Sequence, residues 1–306
     1  MKKVICILLF PFLTTLVIAQ KPIKKSKIAF VSNLDKKNSE IFVIDSDGSN
    51  EKRITFNDWN DESPSWSPDG KQIAFLSCKD TVCAIYIMSA DGSDIHQVTK
   101  SGRNICNPKW SPDGKWIAYE DNGRDLCLVS PNGKQYKYVP LGKGANRNFT
   151  WSPDSKQIVF ASCRDADIDT NISCGMHYEL YIMNADTPLS IQRITYNNEV
   201  DKFPCWSLDG KRFAYLYEQV MKDGNDEQGI AVMNIDTTER KKLVAMPWAH
   251  MPTWSPDSKK IAVGFYNREK DRWDIYTIDP DGKNLTRVTN NGRENFTPAW
   301  SPYLDE

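Results

Sequence analysis

Four carboxylates stand a few residues ahead of recurring tryptophans: Asp61 and Glu62 before Trp66, Asp201 before Trp206, and Glu294 before Trp300. Carboxylates brought together in pairs are the minimum equipment for glycoside chemistry. Lys202, Arg147, His250 and Asn295 hold matching places four or five residues ahead of a tryptophan, with Trp248 close by. Such a mixed set suits a ligand-binding mouth with a few aromatic or charged anchors and a polar rim. The competing reading is a wet channel whose polar groups are already satisfied, and composition does not decide between the two.

Other chemistry is weaker. Asp165, Asp167 and Asp169 alternate as in the start of a calcium loop, but the sixth position is Thr170 rather than Gly and the twelfth is Met176 rather than Glu. The residues favour a solvated acidic loop there, and no cofactor is expected. His96, His177 and His250 show no His-x-x-x-His spacing, so they point to no metal. No Gly-x-Ser-x-Gly elbow is present, and a Ser-His-Asp set is recognised only by geometry.

The element that must position these residues is a repeat. Trp66 to Phe75 reads WSPDGKQIAF. It returns from Trp110, Trp151, Trp206 and Trp254, and in truncated form as Trp300-Ser301-Pro302. Ser-Pro-Asp-Gly spells a type I turn, with Pro presetting φ at its second position and Gly free to go left-handed at its fourth. Ser155 and Ser258 replace that Gly, at roughly 1 kcal/mol each if the left-handed conformation is kept. Ile73 and Phe75 then alternate with Gln72 and Ala74, the period of a half-buried strand.

Successive tryptophans are 44, 41, 55, 48 and 46 residues apart, intervals that belong to propellers or solenoids. Each interval holds two more strand signals. One is of the type Ile85-Tyr86-Ile87-Met88 running into Asp91-Gly92, and the other is a short strand ending in Val98-Thr99. Four short strands per repeat make a propeller blade. Lys27 to Val31 is a second strand with no tryptophan strand before it, and Trp300 ends a first strand with nothing after it. Together they complete one blade. The sequence therefore predicts an all-β, six-bladed β-propeller of four-stranded blades, closed by the C-terminal strand joining the N-terminal blade.

These motifs, from Trp-Ser-Pro-Asp-Gly-Lys-x-Ile-Ala-Phe through Ile-Tyr-Ile-Met-x-x-Asp-Gly to Ile-Thr, resemble the repeat of the TolB-type β-propeller over about residues 27 to 302. They are also similar to repeats in the propeller of dipeptidyl peptidase IV-like peptidases. The resemblance implies a propeller alone. The extra α/β domain ahead of the TolB propeller finds no room here, and the peptidases' hydrolase domain lacks its elbow.

Residues 1–19 read as a secretory signal: Lys2 and Lys3, an apolar run from Val4 to Ile18, and small residues at Val17-Ile18-Ala19. Residues 20–306 are then one propeller domain. Loss of the two lysines takes the formal charge from −1 to −3, a near-neutral balance that argues against a nucleic-acid partner. No other stretch is suited to membrane insertion, and a monomer is expected. Seven cysteines remain. Cys78 and Cys83 flank one hairpin loop, and Cys163 and Cys174 flank the equivalent loop two blades on. In an oxidising compartment these pairs are expected as disulfides, with Cys106, Cys127 and Cys205 left as thiols.

The tight Pro-Asp-Gly and Asp-Gly turns gather on one face. The long irregular loops gather on the other, where function is expected. The reading is an exported, periplasmic or extracellular, non-catalytic propeller that binds a protein or peptide on its loop face. The alternative is a glycan binder or carbohydrate-active enzyme using the mouth carboxylates. Thiol titration of denatured protein from its native source is expected to find far fewer than seven free cysteines. Seven would overturn the pairing and weaken the argument for export.

Overall fold

A computed structural model describes residues 25–34, 38–165, 177–187, 190–219, 226–245 and 248–304. The segment expected to be a signal, Asp167, Asp169 and Cys174 therefore lie outside the described residues. Six four-stranded antiparallel sheets form the blades of the ring. Blade 1 holds Lys27–Leu34, Asn38–Asp45 and Lys52–Arg53, with Asn295–Trp300 as its innermost strand. From the channel outward, blade 2 runs Asn60–Trp66, Gln72–Lys79, Val82–Ser89 and His96–Gln97, and blade 3 runs Ile105–Trp110, Ile117–Asp121, Asp125–Val129 and Tyr136–Val139. Blade 4 runs Asn146–Trp151, Gln157–Ser162, Glu179–Asn184 and Gln192–Arg193. Blade 5 runs Val200–Trp206, Arg212–Gln219, Glu227–Asn234 and Lys241–Ala245, and blade 6 runs His250–Trp254, Ile261–Asn267, Arg272–Ile278 and Thr286–Arg287. Among the described residues no helix is long and apolar enough to cross a membrane.

The turn chemistry is as written in the sequence. In blade 2 the Gly70 amide donates to Ser67 O at 2.9 Å, and Ser67 Oγ both donates to Asp69 and accepts from the Gln72 amide. Gly70 has φ +70°, and Ser155 and Ser258 keep the left-handed conformation at +61° and +56°. Each serine recovers part of that cost. Ser155 Oγ accepts the Asp113 amide of the blade before it and Ser258 Oγ accepts that of Asp209, both at 3.0 Å.

The core lies between blades. Ile41, Val43 and Ile54 of blade 1 pack on Trp66, Ile73 and Phe75 of blade 2, and similar clusters follow round the ring. The tryptophans tie neighbours through polar atoms as well. Trp66 and Trp254 indoles donate to Ala299 O and Cys205 O of the preceding blade, each at 3.1 Å. In alternate blades Ser65, Thr150 and Thr253 accept the backbone amide of the next tryptophan, so the six-fold ring has a three-fold rhythm.

Closure uses the same devices across the ends of the chain. Ile28 pairs with Trp300 and Ser32 with Asn295. Lys27 and Ser301 exchange bonds at 2.8 Å, and the Trp300 indole donates to Ser26 Oγ at 2.9 Å. The expected Cys78–Cys83 disulfide is formed, and Cys163 is disulfide-bonded, while its expected partner Cys174 lies outside the described residues. Cys106, Cys127 and Cys205 are half-buried thiols. Deleting residues 297–306 removes the Ile28–Trp300 and Ala29–Ala299 pairs and the Ser301 and Trp300 side-chain bonds, and exposes much of the edge of the Lys27–Leu34 strand. Calorimetry is expected to show loss of the single cooperative transition, or aggregation. A truncated chain that melts like the full one would refute closure by this strand.

Candidate functional site

Every innermost strand carries the same irregularity. Between the residues four and one before its tryptophan, three residue steps oppose two on the neighbouring strand, which is a β-bulge. The bulged residue is left-handed in all six blades: Ser63, Asn107, Asn148, Phe203, Met251 and Thr297, at φ 45° to 53°. None is glycine, so each costs on the order of 1 kcal/mol. Five precede a proline, which has no amide to leave unpaired at the channel. These bulges line the neck of the central channel.

The bulge and the two-residue strand period sort the sequence candidates. Residues five before the tryptophan turn into the blades. Asp61, Asp201 and Asn295 are therefore fully buried rather than at the mouth. Asp61 accepts Ser77 Oγ at 2.5 Å and Asn57 Nδ2 at 2.6 Å, and Asp201 accepts Asn197 Nδ2 at 2.8 Å. Each adjoins a second buried acid held by Thr and Arg: Glu40 with Thr55 and Arg53, Glu179 with Thr195 and Arg193. Asn295 holds the equivalent place beside Asp274, Thr289 and Arg287. These three clusters join a blade's third strand to the next blade's inner strand. Burial raises Asp61 to about 6 and Asp201 to about 7, with the neighbouring Glu40 and Glu179 adding to it.

Residues four before the tryptophan form the mouth: Glu62, Cys106, Arg147, Lys202, His250 and Phe296. Two hollows meet there at His250. One, of about 420 Å³, is lined by Asn33, Ser39, Glu62, Trp273 and Phe296 among others. The other, of about 520 Å³, is lined by Arg147, Asn148, Tyr178, Lys202 and Phe203. The structure thus brings Glu62, Arg147, Lys202 and His250 together. Enclosure raises the Glu62 pKa and lowers that of Lys202, and it lowers His250, with Lys202 adding to that effect. Glu294 is exposed at the rim and accepts Asn33 Nδ2 at 3.4 Å.

Trp248 is 53% exposed and reaches the mouth through a run of rings. Its ring lies 6.4 Å from Tyr266, Tyr266 lies 5.7 Å from Trp273, and Trp273 lies 5.2 Å from His250 and 5.7 Å from Phe296. Trp273, Tyr266 and Tyr178 were not singled out from sequence, because they sit on second and third strands or beside a loop, away from the tryptophan motif. Trp59 faces Tyr86 at 6.3 Å in a separate hollow of blade 2. Arg293, beside the rim residue Glu294, is paired with Glu51 and lies over Phe42. Asp165 accepts Tyr181 Oη at 2.7 Å. Among the described residues no three His, Cys, Asp or Glu side chains are placed to hold a metal ion.

Lys109 is a further residue that sequence reasoning missed. It occupies the position just before the tryptophan, where the other blades have Ser65, Thr150, Cys205, Thr253 and Ala299, and it lines the neck. A long cation among five small residues was the available signal. Glu120 is likewise exceptional, since Leu76, Ala161, Leu216, Gly264 and Val31 hold its place opposite the mouth residues of the other blades. It is buried and accepts Asn107 Nδ2 at 2.9 Å and the Asn148 amide at 2.6 Å.

The family model described as the TolB beta propeller domain matches residues 22–170 and 168–304. The Tol-Pal system protein TolB of Alcanivorax borkumensis is 33% identical over 87 residues, a segment that spans 28% of this chain and 19% of that protein. The crystal structure of TolB from Acinetobacter baumannii superposes with a TM-score of 0.76 at 21% identity, covering 90% of this chain and 67% of that one. An oligogalacturonate lyase in complex with manganese superposes at 0.55 and 18% identity, covering 87% and 74%. At these identities the structural likenesses establish the fold alone.

The buried acids generate a pH prediction. Asp201 titrates near 7 when folded, whereas an ordinary unfolded carboxyl titrates near 4. The folded state binds the proton more tightly, so this stabilisation is complete below about 4 and is lost as pH rises through 7. Asp201→Asn, which copies Asn295, is expected to be the more stable protein at pH 8 by on the order of 1–2 kcal/mol. It should also flatten the dependence of the urea midpoint on pH between 5 and 8. A parent and variant that respond identically to pH would contradict the assignment.

Proposed function

We propose that this chain, which belongs to the TolB β-propeller family, is an exported, non-catalytic scaffold of the cell envelope or exterior that binds a protein partner at its loop-face channel mouth. One observation carries the reading. The scaffold positions repeat from blade to blade, whereas the six mouth residues Glu62, Cys106, Arg147, Lys202, His250 and Phe296 are six different residue types. Nothing in closing a propeller requires that variety, and a specific ligand does. The exposed ring of Trp248 and the half-buried ring of Tyr266 continue the mouth outward and supply the apolar anchors of a protein interface.

The glycan reading draws less support. Of its four carboxylates, Asp61 and Asp201 are buried in hydrogen-bonded clusters, leaving Glu62 and Glu294 at the mouth. The relative's name places that protein in a Tol-Pal system, which supports an envelope partner for this chain as well.

Capture of partners from the source organism's own envelope, using the full exported chain, tests the proposal. Trp248→Ala combined with Trp273→Ala is expected to weaken the captured complex by more than about 2 kcal/mol, the scale of interface hot spots. The melting temperature should stay nearly constant. Lys115→Ala with Lys283→Ala, on the turn face, is expected to leave binding unchanged. The opposite pattern would place the interface on the turn face.

A further inference from the structure

The mouth and neck are electrically lopsided. Arg147 is exposed and Lys202 and Lys109 are half-buried, all on the wall made by blades 3 to 5. Most half-buried cations elsewhere in the ring are ion-paired, as Arg53 is with Glu40 at 2.8 Å, Arg193 with Glu179 at 2.5 Å and Arg287 with Asp274 at 2.9 Å, and Arg164 and Lys137 donate to backbone carbonyls instead. Among the described residues, Arg147, Lys202 and Lys109 make no ion pair. Lys202 is 5.2 Å above the Tyr178 ring. Two acids lie near this wall. Glu120 is buried behind it and occupied by Asn107, Asn148 and Cys106, and Glu218 is opposite Val200, beyond ion-pair distance of Lys202. Half-buried lysines without an ion-pair partner are costly, and a like charge sharing the hollow, as Arg147 does with Lys202, adds to the cost. An anionic ligand relieves both.

The arrangement also says what kind of anion. The three cations do not surround a point as they would for a phosphate. Arg147 and Lys202 line the outer hollow and Lys109 lines the neck, and Asn148 and Phe203 belong to both spaces, so the two are continuous. The neck has room for about 40 Å³, one side chain's worth. We infer that the mouth receives an acidic, extended segment of a partner polypeptide, with one carboxylate between Arg147 and Lys202 and a second reaching Lys109 in the neck. The inference rests on the mouth being the docking face. An extended chain advances about 3.3 Å per residue, so acidic residues two or three positions apart fit this separation.

The test titrates the full exported chain, by calorimetry, with acetylated and amidated hexaglutamate, hexaglutamine and hexalysine, and with citrate. Hexaglutamate is expected to bind at least tenfold more tightly than the other peptides and than citrate, and to weaken as salt is raised. Arg147→Gln with Lys202→Gln should cut its affinity at least tenfold, and Lys109→Met several-fold, with melting temperatures held. Arg147→Glu serves as a charge-reversal check should the double variant fold poorly. Equal affinity for hexaglutamate and hexaglutamine, or indifference to all three cation changes, overturns the inference. So does citrate binding as tightly as the peptide, which would assign a small-anion site. The two readings fail separately. If the captured envelope partner is lost with Trp248→Ala and Trp273→Ala but kept with Arg147→Gln and Lys202→Gln, the docking face stands and the acidic segment falls. If hexaglutamate binds as expected but no captured partner responds to either pair, the acidic site stands and the proposed docking falls.

Discussion

The left-handed bulge in each innermost strand is the constraint from which the rest of the site follows. A regular strand would send alternate residues to alternate sides along its whole length. One extra residue between the mouth position and the tryptophan changes the phase. The tryptophan can then lie between blades while the residue four before it faces the channel and the residue five before it enters the blade. The strain of six non-glycine left-handed residues, Phe203, Met251 and the β-branched Thr297 among them, persists because inter-blade packing on both sides determines the backbone there. Proline after five of them removes a donor that the bulge would otherwise leave unpaired.

Downstream of the bulge, burial and charge are handled in two ways. The five-back residues join hydrogen-bonded acid clusters between blades. Two of those clusters keep two acids close together, Glu40 with Asp61 and Glu179 with Asp201. The third, Asp274 with Asn295, substitutes an amide and avoids the repulsion. The same geometry thus tolerates either choice, and the acid version couples the ring to pH. The hydroxyls of Ser65, Thr150 and Thr253 bind the next blade's backbone in alternate blades only, which leaves the same position in the other three free to vary. Lys109 occurs in one of those free places.

The fold was legible because its signals are local and redundant. Each Ser-Pro-Asp-Gly turn, each alternating Ile-Ala-Phe strand and the unmatched ends Lys27–Val31 and Trp300 pointed to the same six-bladed closure. The mouth was half legible. Counting back from the tryptophan located the right pair of positions in each blade, but the bulge decides which member of the pair faces the channel, and the bulge is written only as an X-Pro step before the tryptophan. Asp61, Asp201 and Asn295 are consequently expected at the mouth beside Glu62 and Lys202, and the structure buries all three. Trp273 and Tyr178 reach the mouth from elsewhere in their blades, and no count along one strand finds them.

Departures from the repeat separate scaffold from site. On the turn face, Ser155 and Ser258 break the glycine rule, and their hydroxyls recover part of the cost by binding the adjacent blade's Asp113 and Asp209 amides. Glu120 breaks the apolar rule opposite the mouth, and Asn107, Asn148 and Cys106 satisfy it. In these cases the fold supplies its own compensation, so nothing outside the chain is implied. Lys109, Arg147 and Lys202 share one wall of the channel, and no carboxylate among the described residues forms an ion pair with any of them. A local inconsistency repaired from within is structural variation. One left open along a continuous channel wall is a demand for something the chain itself does not contain.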